Sequence, residues 1–417
     1  MSCIAPMRLS PLLAVILLLL AGCGGGSGDG PGETTAAPAT VCGTDGRVSL
    51  PANFPEPEIP CDNRLNAAKI ELGRFLFYDR NLSFNQTQSC ADCHQQDRAF
   101  SDGLTTSVGS TGSPHPRNAM SLTNVVYNAT QNWANDQLTT LDQQSLSVLL
   151  NEEPVELGWT GHEEEIIDRF RSPLNDPAAG LVGYPALFAA AFPDKADPYT
   201  VFSFTQALGA FVSTLISGDS EFDREQRGEA NSMSDAAKRG RELFFSERLE
   251  CFHCHGGFNF SDSVDHTGVV FDQAAFHNTG LYNLDTDADG IGDGAFPANN
   301  KGIREFTLLP EDEGKFRAPT LRNIALTAPY MHDGSIATLD EVLDHYARGG
   351  RLIAAGPYAG DGALNPNKSS LIAGFVLTPD ERLDVIAFLE SLTDMAFICN
   401  ADLSDPFGNL PPHPLCP

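Results

Sequence analysis

Positive charge is scarce in this sequence. Only 26 Lys and Arg stand against 55 Asp and Glu, a formal net charge of −29 over 417 residues. A phosphate backbone has to be met by clustered Lys and Arg, so nucleic acid is excluded as a partner. A macromolecule drawn in by long-range electrostatics has to offer a neutral or basic face. Long apolar runs are missing too. The most extended, Leu12 to Leu20, falls well short of the roughly 20 residues of a membrane-spanning helix. Alternating β-branched runs and rows of hairpin turns are few, which argues against a sandwich or a barrel. Ten cysteines are too few for a small disulfide scaffold in a chain this long, yet too many to ignore. Core material is not lacking: 41% apolar residues, with 26 Phe, exclude global disorder.

Arg8 precedes the apolar run and Leu20-Ala21-Gly22-Cys23 ends it. Small residues before a cysteine resemble a bacterial lipobox. Residues 1–22 then form a lipoprotein signal peptide and Cys23 is the lipidated first residue of the mature chain; an ordinary secretory signal cut nearby is the alternative. Both readings export the protein. Gly24 follows the cysteine where an Asp would signal inner-membrane retention, so the expected location is the periplasm, on an outer-membrane lipid anchor. Residues 23–50 are anchor and tether, rich in Gly, Thr and Pro up to residue 41.

Two segments repeat one another. AAKIELGRFLFYDRNLSFNQTQSCADCH (67–94) and AAKRGRELFFSERLECFHCH (236–255) share an Ala-Ala-Lys start, a Gly-Arg, an aromatic-rich turn and a closing Cys-x-x-Cys-His. A repeat at this spacing predicts two domains of one kind. We place them at 51–225 and 226–417, with the boundary in the polar stretch 219–233 after a helical pattern over 202–217. Ser234 is a suitable N-cap for the second copy's opening helix. Thr338 to Glu341 and Thr378 to Glu381 are capping boxes, the second with Pro379 at the first helical position. The expected fold is mainly α, two cytochrome c-like domains in tandem.

Cys-x-x-Cys-His is the attachment signature of c-type haem. Two thiols at that spacing reach the two vinyl groups of one porphyrin, and the adjacent imidazole faces the iron. A zinc half-site would want a second ligand pair nearby in each domain, and none is present; a thioredoxin-like redox pair is the other rival. Two intact copies in an exported protein favour two covalent haems, on Cys90, Cys93 and His94 and on Cys251, Cys254 and His255. Cys42, Cys61, Cys399 and Cys416 remain, an even number in an oxidising compartment. Local pairing, 42 with 61 and 399 with 416, would clip both chain ends to the body, and the other two connectivities stay open.

With these motifs the chain resembles the bacterial di-haem cytochrome c peroxidase and MauG superfamily. FRAPTLRNIALTAPYMHDGSIATL (316–339) carries the likeness in the second half, and PHPRNAMSLTNVVYN (114–128) is similar to the MbnH-like members. The resemblance implies a peroxide-binding first haem and a second haem with a distal ligand, here Tyr346. Leu339, Val342, Leu343 and Tyr346 independently fall on one helix face, with His345 off it; Met331 and His332 are the competing ligands. The family's removable distal His is replaced by Ser110, which leaves the His94 haem open unless His115 substitutes.

The acid–base pair over the open haem matches Gln144 and Glu156, with Glu152 and Glu153 as rivals for the latter. Trp133 matches the inter-haem tryptophan, whereas Leu249 stands where MauG has a surface tryptophan for holes to leave. The resemblance also implies Ca²⁺ held by Asn118, Thr327 and Pro329. Asp285 to Asp293 has EF-like spacing, but Phe296 takes the place of the closing Glu, so an acidic turn is as good a reading.

The function these features imply is an oxidase that uses H₂O₂ to oxidise an exported protein partner, of copper-binding type by likeness to the MbnH-like members. The alternatives are a peroxidase drawing electrons from a small cytochrome or cupredoxin, and an electron-transfer cytochrome without peroxide chemistry.

Overall fold

A computed structural model describes residues 41–172, 183–269, 274–410 and 413–416. The signal peptide, Cys23 and most of the tether lie outside the described residues. Those described fall in one compact unit, mainly helical, with only short strands. β1 (Val41–Cys42) pairs antiparallel with β2 (Ile59–Pro60), and β3 (Leu352–Ile353) with β4 (Gly360–Asp361). Among the described residues no helix is long and apolar enough to cross a membrane.

The repeat becomes two equivalent helix crossings. In the first half α1 (Ala67–Tyr78), α2 (Leu141–Leu150), α3 (Glu163–Arg171), α4 (Tyr184–Ala191) and α5 (Val201–Val212) form one apolar cluster. After α6 (Glu221–Gln226), α7 (Asp235–Phe244), α8 (Leu339–Arg348) and α9 (Pro379–Glu390) build the second. α1 packs against α5, and α7 against α9. The shared Gly of each copy lies at its crossing. A Cβ on Gly73 would sit 1.9 Å from the Ala207 carbonyl, and one on Gly240 1.8 Å from that of Asp384. Only hydrogen leaves room for the two backbones.

The predicted caps are in place. Ser234, Thr338 and Thr378 each accept from the backbone N–H three residues on. One expectation needs correction. The helical pattern over 202–217 stops at Val212, where the Ser213 and Thr214 hydroxyls bond back to the Gly209 and Phe211 carbonyls, each at 2.7 Å. The polar stretch 219–233 contains α6. Its Asp223 is buried and meets the Arg322 guanidinium through two bonds of 2.8 and 3.0 Å. Burial alone would raise that carboxyl's pKa; the Arg322 pairing holds it low.

Disulfides Cys42–Cys61 and Cys399–Cys416 are formed, the local pairing. The chain's end returns to the first half: Phe397, Ile398 and Leu403 belong to the first apolar cluster, not the second. Asp394 on this return accepts from Ser217 Oγ and the Gly218 and Asp219 amides at 2.9–3.0 Å.

Candidate haem and peroxide site

Each Cys-x-x-Cys-His turn ends in an imidazole fixed from behind. His94 Nδ1 donates to the Phe100 carbonyl at 2.8 Å, and His255 Nδ1 to that of Phe260 at 3.1 Å. Such a bond sets the tautomer and leaves Nε2 as the ligand atom. Both carbonyls come from fully buried Phe residues with positive φ, 61° and 49°. Phe-Ser-Asp therefore recurs after each site (100–102 and 260–262), an extension of the repeat that sequence reading missed although the letters were there. Burial lowers the pKa of both imidazoles, which keeps them neutral.

The second turn opens on a cavity of about 340 Å³. Cys251, Cys254 and His255 line it, and so do Leu339, Val342, Leu343 and Tyr346, the predicted helix face. Trp133 lies on another wall, its Nε1 donating to the Asn118 carbonyl at 2.9 Å. Asn118, Thr327 and Pro329 border the same space, as do Met331 and His332. His345, off the stripe, is buried and is not among the residues that line this cavity. Burial drives the Tyr346 hydroxyl well above the usual phenol range, the nearby thiols adding to it.

The residues present fit a haem. Cys90, Cys93, Cys251 and Cys254 are unpaired in a chain whose other described cysteines are bridged. Arg317 is almost fully buried, and its Nη1 has no partner; His332 Nε2 is in the same position. Both residues line the cavity. Arg317 Nε donates to the Asn132 carbonyl at 3.2 Å, but a buried guanidinium with an unsatisfied N–H and no carboxylate partner is costly, and a haem carboxylate in this space would satisfy it.

At the first turn, burial, the neighbouring Cys93 thiol and then Glu156 push the Cys90 thiol up to about 12. Glu156 acts on both thiols of this turn, as do Asp92 on Cys90 and Asp102 on Cys93, and its own carboxyl is pushed up to about 7 by burial. Glu152 and Glu153 are exposed. Ser110 donates its amide to the Glu156 carbonyl at 2.8 Å, and its hydroxyl is buried without a partner. Gln144 on α2 likewise has an unpartnered buried Oε1. His115 is half-buried, its pKa lowered by burial and then by the neighbouring His94.

The chain's other tryptophan, Trp159, is a core residue whose Nε1 donates to the Leu82 carbonyl at 2.7 Å. Leu249 is buried on the cavity wall. Asp285, Asp287 and Asp289 gather exposed carboxylates, while Phe296 is buried core, as a non-EF turn requires.

Two Cys-x-x-Cys-His turns with backbone-anchored imidazoles, one facing a large apolar cavity, define a di-haem c-type cytochrome with peroxidase architecture. The chain belongs to the di-haem cytochrome c peroxidase and MauG family, and it is a haem oxidoreductase. The family model for di-haem cytochrome c peroxidase matches residues 67–231. Cytochrome-c peroxidase IdrP1 of Denitromonas iodatirespirans is 30% identical over 374 residues, 86% of this chain and 91% of that protein. Methylamine utilization protein MauG of Methylorubrum extorquens is 28% identical over 388 residues, 92% and 95% of the two chains. A solved structure described as a MauG-like protein associated with microbial copper homeostasis is 46% identical, with a TM-score of 0.80, covering 86% of this chain and 98% of its own.

Proposed function

We propose that this protein uses H₂O₂ to oxidise a protein partner in the manner of MauG, from two tandem cytochrome c-like domains, 51–225 and 226–417. The observation that carries the reading is Tyr346 on the wall of the cavity that His255 faces. A tyrosinate oxygen favours oxidised iron, whereas the Met of ordinary peroxidases favours the reduced metal and rapid exchange with a small cytochrome. The 46% identical MauG-like structure, tied by its description to copper homeostasis, supports an exported copper-binding partner.

Bound haem supplies the two electrons that turn H₂O₂ and two protons into two waters. The protein's part is positional. Glu156 takes a proton from the near oxygen of peroxide and returns it to the leaving one, with Gln144 orienting the molecule. Ser110, at the position of the missing distal His, leaves that face open. Trp133 stands between the sites as a relay. Asn118, Thr327 and Pro329 hold Ca²⁺ by hard oxygen donors, which stiffens the cavity wall. Cys23 carries the lipid that keeps the enzyme on the outer membrane, facing the periplasm.

Holoprotein is the material for the test. Replacing Tyr346 with Phe should change the spectrum of the six-coordinate haem, and peroxide-treated wild type should oxidise reduced cytochrome c only sluggishly. Brisk steady-state turnover with cytochrome c would establish the plain peroxidase instead. Two fully six-coordinate low-spin haems, unreactive with peroxide, would leave only electron transfer.

A further inference from the structure

A protein substrate is too large to enter the cavity, so oxidising equivalents have to travel to the surface. Leu249 closes the route that a tryptophan beside the second haem would offer. Ten side chains, two Trp and eight Tyr, are the aromatic groups readily oxidised by one electron. Trp159 is fully buried and Trp133 half-buried at the cavity. Of the tyrosines only Tyr358 is exposed, at 45%.

Tyr358 lies between β3 and β4, and an aromatic run leads inward from it. Its ring meets Tyr282 edge-to-face, centroids 5.8 Å apart. Buried Tyr282 meets Phe296 at 5.5 Å, and Phe296 meets both Phe316 and His332 at 6.3 Å. Those last two stack at 3.5 Å and line the cavity together with Trp133 and Tyr346. Every step falls within ordinary aromatic packing distance.

Tyr282 also has the proton acceptor that its oxidation requires. Its hydroxyl donates to Asp333 Oδ2 at 2.5 Å, both residues being buried. A tyrosine that loses an electron becomes a strong acid, and a carboxylate already in contact takes the proton in the same event. A buried Tyr–Asp bond is by itself ordinary: Tyr184 donates to Asp79 at 2.7 Å in the first cluster. A run through Phe188 reaches half-buried Tyr199 there, but none of those residues lines the cavity that His255 faces.

We infer that Tyr282 and Tyr358 carry oxidising equivalents from the cavity to the surface, with Asp333 as proton acceptor, and that a protein substrate is oxidised by contact at Tyr358. The inference rests on the peroxide-driven reading above. H₂O₂ is the oxidant and accepts two electrons per molecule. For each, Tyr282 gives one electron inward and its phenolic proton to Asp333. It recovers an electron from Tyr358 and its proton from Asp333, while the Tyr358 proton passes to water. Tyr358 is restored by one electron from the substrate and one proton from solvent.

The test uses holoprotein, H₂O₂, a nitroso spin trap and peptide mass spectrometry, without any partner. The trap should mark Tyr358. Tyr358→Phe, a surface change that leaves the core intact, should abolish that adduct. Tyr282→Phe should lower adduct yield at Tyr358 by about tenfold or more, with haem content and the optical response to H₂O₂ retained. Asp333→Asn should lower it too, and Tyr199→Phe should leave it unchanged. Labelling at Tyr199 in place of Tyr358, or full labelling of Tyr358 in Tyr282→Phe, would overturn the route. Absence of any optical response in wild type would instead overturn the peroxide reading on which it rests.

Discussion

Glu156 illustrates how one side chain acquires its chemistry from where it lies. Three acids crowd residues 152–156, and their letters alone do not separate them. Burial does: Glu152 and Glu153 face solvent, while the Glu156 carboxyl is raised to about 7 by desolvation. Such a carboxyl is half-ionised near neutrality, where a group that must both accept and return a proton works best. Glu156→Gln should slow the reaction with H₂O₂ by roughly 10²–10⁴, measured by stopped-flow absorbance. The ionised form is the proton acceptor, so the wild-type rate should rise with pH through about 7 and the variant should lose that limb. The same raised value disfavours folding as pH increases, because the unfolded chain gives up this proton at lower pH than the folded one. A rate changed by less than about threefold would move the role to a neighbouring acid.

The helix crossings belong to the scale of the element. Gly73 and Gly240 occupy equivalent places in the two repeats, and each meets a partner helix's carbonyl where a methyl group would stand. In an exposed helix Gly→Ala gains about 1 kcal/mol from propensity. At these crossings the methyl forces the helices apart, and Gly73→Ala or Gly240→Ala should cost a net of about 1–3 kcal/mol. Thermal unfolding of the holoprotein would register either loss, and a variant as stable as wild type would mean that the crossing relaxes freely. The Gly-Arg pair was legible in the sequence repeat. Its meaning was not, because the partner helices α5 and α9 follow at different distances along the chain and carry no matching motif.

For the molecule as a whole, the C-terminal return is the feature the linear order conceals. Residues that follow the second haem helix close the first core, and Cys399–Cys416 ties a loop with a sequence separation of 17 onto it. A cross-link over a loop of this size is worth about 3 kcal/mol in the chain-entropy account. Replacing both cysteines with Ser should therefore lower the unfolding free energy, read from denaturant titration, by a comparable amount. It should also loosen the end of the chain, seen as faster amide exchange around Phe397 and Leu403, while exchange in α7 and α9 stays as it was. Equal loosening of both clusters would show that the return supports the entire unit.

The chain's covalent chemistry was determined by sequence alone: two Cys-x-x-Cys-His turns, the duplicated unit around them, the caps of α7, α8 and α9, and the helix face that carries Tyr346. Those features depend on neighbours within a few turns of chain, so local spacing is enough to specify them. Tertiary structure decided everything that depends on residues far apart. It brought Trp133, His255 and Tyr346 to one cavity, shielded the Glu156 carboxyl while leaving Glu152 and Glu153 exposed, set Asp223 against Arg322, and aligned Tyr358 with Tyr282 and the cavity wall. Burial and ring contact are properties of a packed interior, and a linear pattern states which side chains are apolar without stating which of them will touch.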